Sequence, residues 1–79
     1  MKAKVEVFLK PGVLDVQGKA IEGALHGLGF PEVGHVRVGK TIAFDVGGDD
    51  RAAAEARVKA MCDKLLANAV IESYRVEIA

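Results

Sequence analysis

The sequence has few of the residues that usually cross-link a small protein or bind a metal. Its 79 residues include one cysteine, two histidines, four aromatic side chains and no tryptophan. A single cysteine excludes an internal disulfide, and with only two histidines beside it no metal-ligand cluster is evident, so no metal site is predicted. We expect one domain, residues 1–79, and small domains without such cross-links commonly depend on association with another chain.

Charge and hydropathy argue against further classes of function. Eleven basic residues balance eleven acidic ones, and no two basic residues are adjacent. Because a nucleic-acid surface needs a basic stripe with aromatic residues, nucleic acid is not expected as a partner. No apolar run approaches the roughly 20 residues that cross a bilayer, and the N-terminus alternates in charge from Lys2 onward instead of opening a signal peptide. A cytoplasmic location without membrane association is therefore expected.

The first half of the chain predicts a strand, a helix and a second strand. Residues 3–9 alternate in a way typical of a half-buried strand. Asp15 is a suitable cap for a helix that stops near Gly29. The apolar stripe of this helix is expected to face the core and consists of Ile21, Ala24, Leu25 and Leu28. The second strand ends with residues 35–38.

The second half predicts a strand, a longer helix and a final strand. A three-residue turn at 39–41 is expected before a strand over 42–46, because this turn length brings Val36, Val38, Ile42 and Phe44 to one face. Asp49 or Asp50 caps the helix, and Asn68 ends it. Its apolar stripe comprises Ala54, Val58, Met61, Cys62 and Leu65. The last strand, 70–78, is expected to turn Tyr74, Val76 and Ile78 inward.

Together these elements predict the order βαββαβ. Its usual packing is an α+β fold of the ferredoxin-like kind, a four-stranded antiparallel sheet with both helices on one face. The opposite face of the sheet is polar apart from one phenylalanine, which suits either a contact between subunits or a plain solvated surface. That face comprises Lys2, Lys4, Glu6, Phe8, Ala43, Ser73, Arg75 and Glu77.

Catalytic chemistry has little support in the sequence. None of the hydroxyl groups stands in a nucleophile-elbow motif, and Cys62 lies within an apolar helical stripe where a thiol is usually inert. Asp49 and Asp50 are better explained as helix-capping residues than as an acid–base pair. The glycines match no phosphate-binding loop. No catalytic or cofactor-binding residue is predicted, and a role in binding or assembly is favoured.

Specific runs of residues resemble the PurS family, the small subunits of phosphoribosylformylglycinamidine synthase. The similar runs are Leu9 to Asp15 with Gln17 and Gly18, Ala24 and Leu25, Leu28 to Phe30, Val36 to Lys40, Met61 and Cys62 with Lys64 to Asn68, and Val70 to Glu72 with Tyr74 and Arg75. They cover essentially the whole chain. The family usually has proline where this chain has Val16 and Ala69, which is expected to loosen two loops.

The resemblance implies a noncatalytic subunit in the fourth step of purine biosynthesis. In that family PurL performs the ATP-dependent ligation of formylglycinamide ribonucleotide, and PurQ releases ammonia from glutamine. PurS forms a homodimer, with a tetramer as the alternative, that bridges the two. ATP, Mg and glutamine are thus expected to be used by the complex and not bound by this subunit.

Contacts with partners are expected at two segments on opposite regions of the rim of the domain. The first segment contributes Lys10, Pro11, Gly12, Asp15 and Gln17, and the second contributes Arg37, Gly39 and Lys40. The polar groups of these segments also suit an anion, although turns of this kind are more often simply solvated. An alternative function is a regulatory, small-molecule-binding module of the ACT kind, which shares the βαββαβ order.

Overall fold

The structure is a computed structural model that describes residues 1–79. Its elements are β1 (Lys2–Leu9), α1 (Val16–Gly27), β2 (Gly39–Asp45), α2 (Arg51–Met61), a π-helical turn (Cys62–Leu66) and β3 (Glu72–Ile78). The three strands form one antiparallel sheet in the order β2-β1-β3. Val5 of the central strand lies opposite Ile42 on one side and Val76 on the other.

The core lies between this sheet and α2. The alternation predicted for β1 is confirmed, since Ala3, Val5 and Val7 are buried on the face that α2 covers. Val58 and Cys62 of the α2 segment pack against them. Burial raises the pKa of the Cys62 thiol, which therefore stays protonated as an apolar core group. Tyr74, Val76 and Ile78 also pack against this cluster, as predicted.

The ends of α2 show one prediction confirmed and one wrong. Asp50 caps the helix, because its Oδ1 accepts hydrogen bonds from the backbone N–H groups of Ala52 at 3.0 Å and Ala53 at 3.3 Å. At the other end, Leu65 was expected in the core but is 83% exposed. In the π turn the hydrogen bond joins residues i and i+5, so each turn contains about one residue more than in an α-helix. The residue that faces the core is therefore Leu66 and not Leu65.

The expected fourth strand is not formed. Gly39, Lys40 and Thr41 were predicted as a hairpin turn, but they are the first residues of β2 and pair with Phe8, Val7 and Glu6 of β1. Residues 34–38 belong to no strand. The backbone N–H groups of Val36 and Val38 bond instead to the carboxylates of Glu22 in the body of α1 and Asp15 at its cap, where a neighbouring strand would otherwise accept.

The first helix does not cover the sheet as predicted. No residue of α1 belongs to the core cluster or packs against it, and only Gly18 of this helix is buried. Ile21 and Leu28 of the predicted inward stripe are exposed. The molecule measures 49 × 24 × 14 Å with a radius of gyration of 16.0 Å, whereas a compact domain of this length would have about 12 Å. The protein therefore consists of a packed sheet–helix half and an extended half carrying α1.

The face of the sheet turned away from α2 is open and its charges pair with one another across strands. Lys2 lies 3.1 Å from Asp45, Lys4 lies 3.2 Å from Glu77, and Arg75 pairs with Glu6. The polar character predicted for this face is confirmed. In addition, neither helix has the length and apolar composition that a bilayer crossing requires.

Candidate functional site

The two segments predicted to contact partners meet at one end of the molecule. Arg37 donates a hydrogen bond from Nη1 to the carbonyl oxygen of Val13 and another from Nη2 to that of Lys10, each at 3.0 Å. The expectation that the segments lie on opposite regions of the rim is therefore wrong. The reason is that the long side chain of Arg37, which follows α1 in the sequence, donates from two guanidinium nitrogens to the loop that precedes α1.

Lys10 ties the same loop to the beginning of β3. Its Nζ donates to the carbonyl oxygen of Ala69 at 2.8 Å, and its backbone N–H donates to that of Ile71 at 2.9 Å. The loop after β1 thus lies between two other segments of the chain, residues 36–38 and 69–71. This arrangement brings together parts of the sequence that are about sixty residues apart.

Asp15 connects the start of α1 to the start of β2. Its Oδ1 accepts from the backbone N–H of Gly18 at 2.7 Å, which caps the helix as predicted. Its Oδ2 accepts from the backbone N–H of Val38 at 2.6 Å. The side chain is only 4% exposed and both oxygens are occupied. Asp15 therefore acts inside the fold and does not present a free carboxylate to a partner.

Two further side chains of α1 bind the segment that precedes β2. Glu22 Oε1 accepts from the backbone N–H of Val36 at 3.3 Å, and His26 Nε2 lies 2.6 Å from the carbonyl oxygen of Val33, at hydrogen-bond distance. We refer to Asp15, Glu22 and Arg37 together as the clasp. Sequence analysis missed Glu22. The available signal was its spacing of seven residues from Asp15, which places both carboxylates on one side of a helix.

Hydrogen bonding keeps both carboxylates of the clasp ionised. The Val38 N–H, with help from the Gly18 N–H and the Arg37 charge, lowers the pKa of Asp15 against the opposing effect of desolvation. The Val36 N–H is the main cause of the lowered pKa of Glu22. A general base that works near neutral pH needs its pKa raised toward 7. These shifts go the other way and indicate a structural role.

A shallow groove of about 480 Å³ runs beside the clasp. Two cations, Lys19 and Arg37, line it together with the two clasp carboxylates, so its charges balance. In addition, no three histidine, cysteine, aspartate or glutamate side chains come together as metal ligands. With its charges balanced, the groove lacks the excess positive charge of an anion site.

The exposed surface of this end is formed by the loop after β1 and the beginnings of α1 and β2. Pro11, Gly12, Gln17, Gly39 and Lys40 are all exposed, as a contact role requires. Sequence analysis did not single out Leu14 and Val16 as contact residues, although they are 68% and 72% exposed. Large apolar side chains that are exposed together are typical of interaction surfaces.

Gly18 allows the close approach of α1 to the segment before β2. A Cβ on residue 18 would lie 2.3 Å from the carbonyl oxygen of Val36, whereas a Cβ on Gly23 of the same helix meets nothing within 4 Å. We expect Gly18→Ala to lower the free energy of unfolding by about 1–3 kcal/mol through overpacking. Gly23→Ala should raise it by about 0.5–1 kcal/mol, since alanine favours the helix. Urea unfolding at one protein concentration measures both, and equal effects of the two changes would contradict this role of Gly18.

The clasp predicts an acid-sensitive contribution to stability. Because the pKa of Asp15 is lowered in the folded state from its usual 3.8, its contribution is present above about pH 4 and is lost as the pH falls through the folded value. Asp15→Asn should therefore lower the melting temperature at pH 7, and its deficit should shrink toward pH 2–3. The same change at exposed Asp49 should have little effect at either pH. A deficit in Asp15→Asn that is independent of pH would contradict the assignment.

Comparison with known proteins places these features in a family. The family model of PurS, described as phosphoribosylformylglycinamidine (FGAM) synthase, matches residues 2–79. The PurS subunit of phosphoribosylformylglycinamidine synthase from Bacillus subtilis is 49% identical over 77 residues, which cover 98% of this chain and 90% of that protein.

Solved structures agree in fold as well as in sequence. A crystal form of Bacillus subtilis PurS superposes with a TM-score of 0.86 at 50% identity, covering 96% of this chain and 94% of that one. A chain in the structure of PurLQS from Thermotoga maritima superposes with a TM-score of 0.87 at 33% identity, covering 96% and 93%. The ACT-like alternative is therefore not favoured. On this evidence, the chain belongs to the PurS family of FGAM synthase subunits.

Proposed function

We propose that this chain is the noncatalytic subunit that joins PurL and PurQ in FGAM synthase, so that ammonia released from glutamine is used to make formylglycinamidine ribonucleotide. The observation that carries the proposal is the close match in fold and sequence to a chain of the PurLQS structure, whose name places the three subunits together. The match extends over nearly the whole of both chains.

The chemistry of the side chains supports a positioning role. The thiol of Cys62 is buried with a raised pKa, and a hydrogen bond to Asp63 raises the pKa of the Tyr74 hydroxyl. A raised pKa disfavours the deprotonated, nucleophilic form of each group. The resemblance to the PurS family implies that the other subunits use ATP, Mg and glutamine, in the cytoplasm. This subunit contributes by holding two active sites in register.

The shape of the molecule supports association with other copies and with partners. Only 8 of the 79 residues are buried, which is a small core for a chain of this length. The apolar side chains of Ile21 and Leu28 on α1 are exposed. A homodimer, with a tetramer as the alternative, covers apolar surface that the single chain leaves open. Neither nucleic acid nor a membrane is among the proposed partners.

Reconstitution of the complex tests the proposed function. Purified PurL and PurQ are assayed for FGAM formation with glutamine or with ammonia as nitrogen source, with and without this protein, in the presence of ATP and Mg. We expect its omission to abolish most of the glutamine-dependent rate and to leave the ammonia-dependent rate nearly unchanged. An unchanged glutamine-dependent rate would overturn the proposal.

Lys40 is the sharpest probe of the proposed contact surface. It is exposed and forms no ion pair within the chain, whereas Arg37 also holds the loop after β1, so its removal would change the fold locally. We expect Lys40→Ala to weaken assembly with PurL and PurQ by roughly two- to fivefold, the usual effect of a charge at the rim of an interface. Lys64→Ala on α2's side of the molecule is the matched control. Equal affinities of the two variants in sedimentation would argue against this surface.

A further inference from the structure

The loop after β1, residues 10–15, is held by hydrogen bonds and not by apolar packing. No residue of this loop belongs to the core cluster or packs against it. The backbone N–H of Val13 donates to the carbonyl oxygen of Lys10 at 2.9 Å, which closes a turn across Pro11 and Gly12. Because proline fixes one backbone angle of this turn, the turn has little freedom once the hydrogen bond has formed.

Arg37 holds this turn from outside, at its first and its last residue. Its Nη2 donates to the carbonyl oxygen of Lys10 and its Nη1 to that of Val13, each at 3.0 Å. The oxygen of Lys10 therefore accepts two hydrogen bonds, which is the capacity of a carbonyl group. A planar guanidinium suits such a pair of acceptors, since its donors lie in a fixed fork. The side chain of Arg37 is thus used within the chain.

Leu14 lies between two residues whose positions are fixed by hydrogen bonds. On one side, the N–H and the carbonyl oxygen of Val13 are both bonded. On the other side, Asp15 is buried and its carboxylate accepts two backbone N–H groups. Leu14 itself is 68% exposed. The fold therefore fixes the backbone around a large apolar side chain that does not pack in the core.

An exposed apolar side chain on a fixed backbone favours recognition by another protein. A loop that already has its bound shape does not lose further conformational entropy when it binds. Large apolar side chains on a surface commonly mark a contact with another molecule, and such a contact would remove the side chain of Leu14 from water. The hydrogen bonds made by Arg37 therefore have a use beyond the stability of the single chain.

We propose that Arg37 is a positioning residue for the glutamine-dependent reaction of FGAM synthase, and that it holds Val13 so that Leu14 can enter an apolar pocket on the PurL–PurQ pair. This inference rests on the proposed function and names the side chain that makes the contact. The sequence predicted Arg37 as a contact residue, whereas in this arrangement it supports the contact that Leu14 makes.

Hydrogen exchange in the protein alone tests the positioning. Without Arg37 only the hydrogen bond within the turn holds Val13, so Arg37→Ala should speed exchange of the Val13 amide by about tenfold or more and leave the amides of β1 unchanged. Arg75→Ala is the matched control, since Arg75 is also exposed and paired within the chain, but on the open face of the sheet. It should leave Val13 unchanged. Faster exchange throughout β1 in Arg37→Ala would assign this residue to general stability and overturn the proposal.

A double-mutant cycle in the reconstituted complex tests the link between Arg37 and Leu14. The measured quantity is the concentration of this subunit that gives half of the maximal glutamine-dependent rate of FGAM formation. Arg37→Ala and Leu14→Ala should each raise it about tenfold. The double variant should need no more protein than Leu14→Ala alone, because Arg37 acts through Leu14. The ammonia-dependent rate should not change, and Arg75→Ala should behave like the unchanged protein.

The outcomes that contradict this inference differ from those that contradict the proposed function. Effects that multiply in the double variant would show that Arg37 acts independently of Leu14. An unchanged half-saturating concentration in Leu14→Ala would show that this side chain meets no pocket on the pair. Sedimentation of the free protein is the third measurement, since a changed oligomeric state in Leu14→Ala would assign the side chain to a contact between copies instead. The proposed function itself fails only if omission of the unchanged protein leaves the glutamine-dependent rate intact.

Discussion

The arrangement of the chain depends on the two hydrogen bonds made by one carboxylate. Asp15 accepts from Gly18 at the start of α1 and from Val38 at the start of β2, and it is nearly fully buried. A buried carboxylate is tolerated only where both oxygens are satisfied, and here two backbone donors and the nearby Arg37 charge provide that compensation. These two hydrogen bonds fix the direction of α1 and the position of residues 36–38, whereas Arg37 and Lys10 hold the loop after β1.

The packed half of the molecule is organised differently, by apolar burial. The central strand β1 contributes three small or β-branched side chains, and α2 covers them with Val58 and Cys62. Dispersion and the hydrophobic effect hold this half, whereas charge-assisted hydrogen bonds to backbone groups hold the other. The two halves share β1 and β2. The core contacts the middle of β1, and the clasp contacts the loop after β1 and the residue before β2.

Most of the side chains with shifted pKa values have a structural task in one of these two halves. Cys62 is buried, Asp15 and Glu22 hold backbone N–H groups, and Tyr74 bonds the side chain of Asp63. The molecule has three surfaces that other proteins can contact: the exposed loop surface at one end, the exposed apolar side of α1, and the open edge of β2. Membership of the PurS family agrees with a protein whose surfaces matter more than its chemistry.

Local patterns in the sequence determined the elements that depend on near neighbours. The alternation in residues 3–9, the caps at Asp15 and Asp50 and the inward side chains of β3 were predictable because each depends on a spacing of two to four residues. The family was also recognisable from short runs of residues. The absence of a fourth strand, the exposed helix α1 and the union of two loops by Arg37 were decided by the tertiary structure. They depend on contacts between residues 14 to 27 positions apart. In two of these contacts a carboxylate accepts the backbone hydrogen bond that a neighbouring strand would otherwise accept. Local periodicity in the sequence does not indicate such contacts, because it reports only on residues a few positions apart.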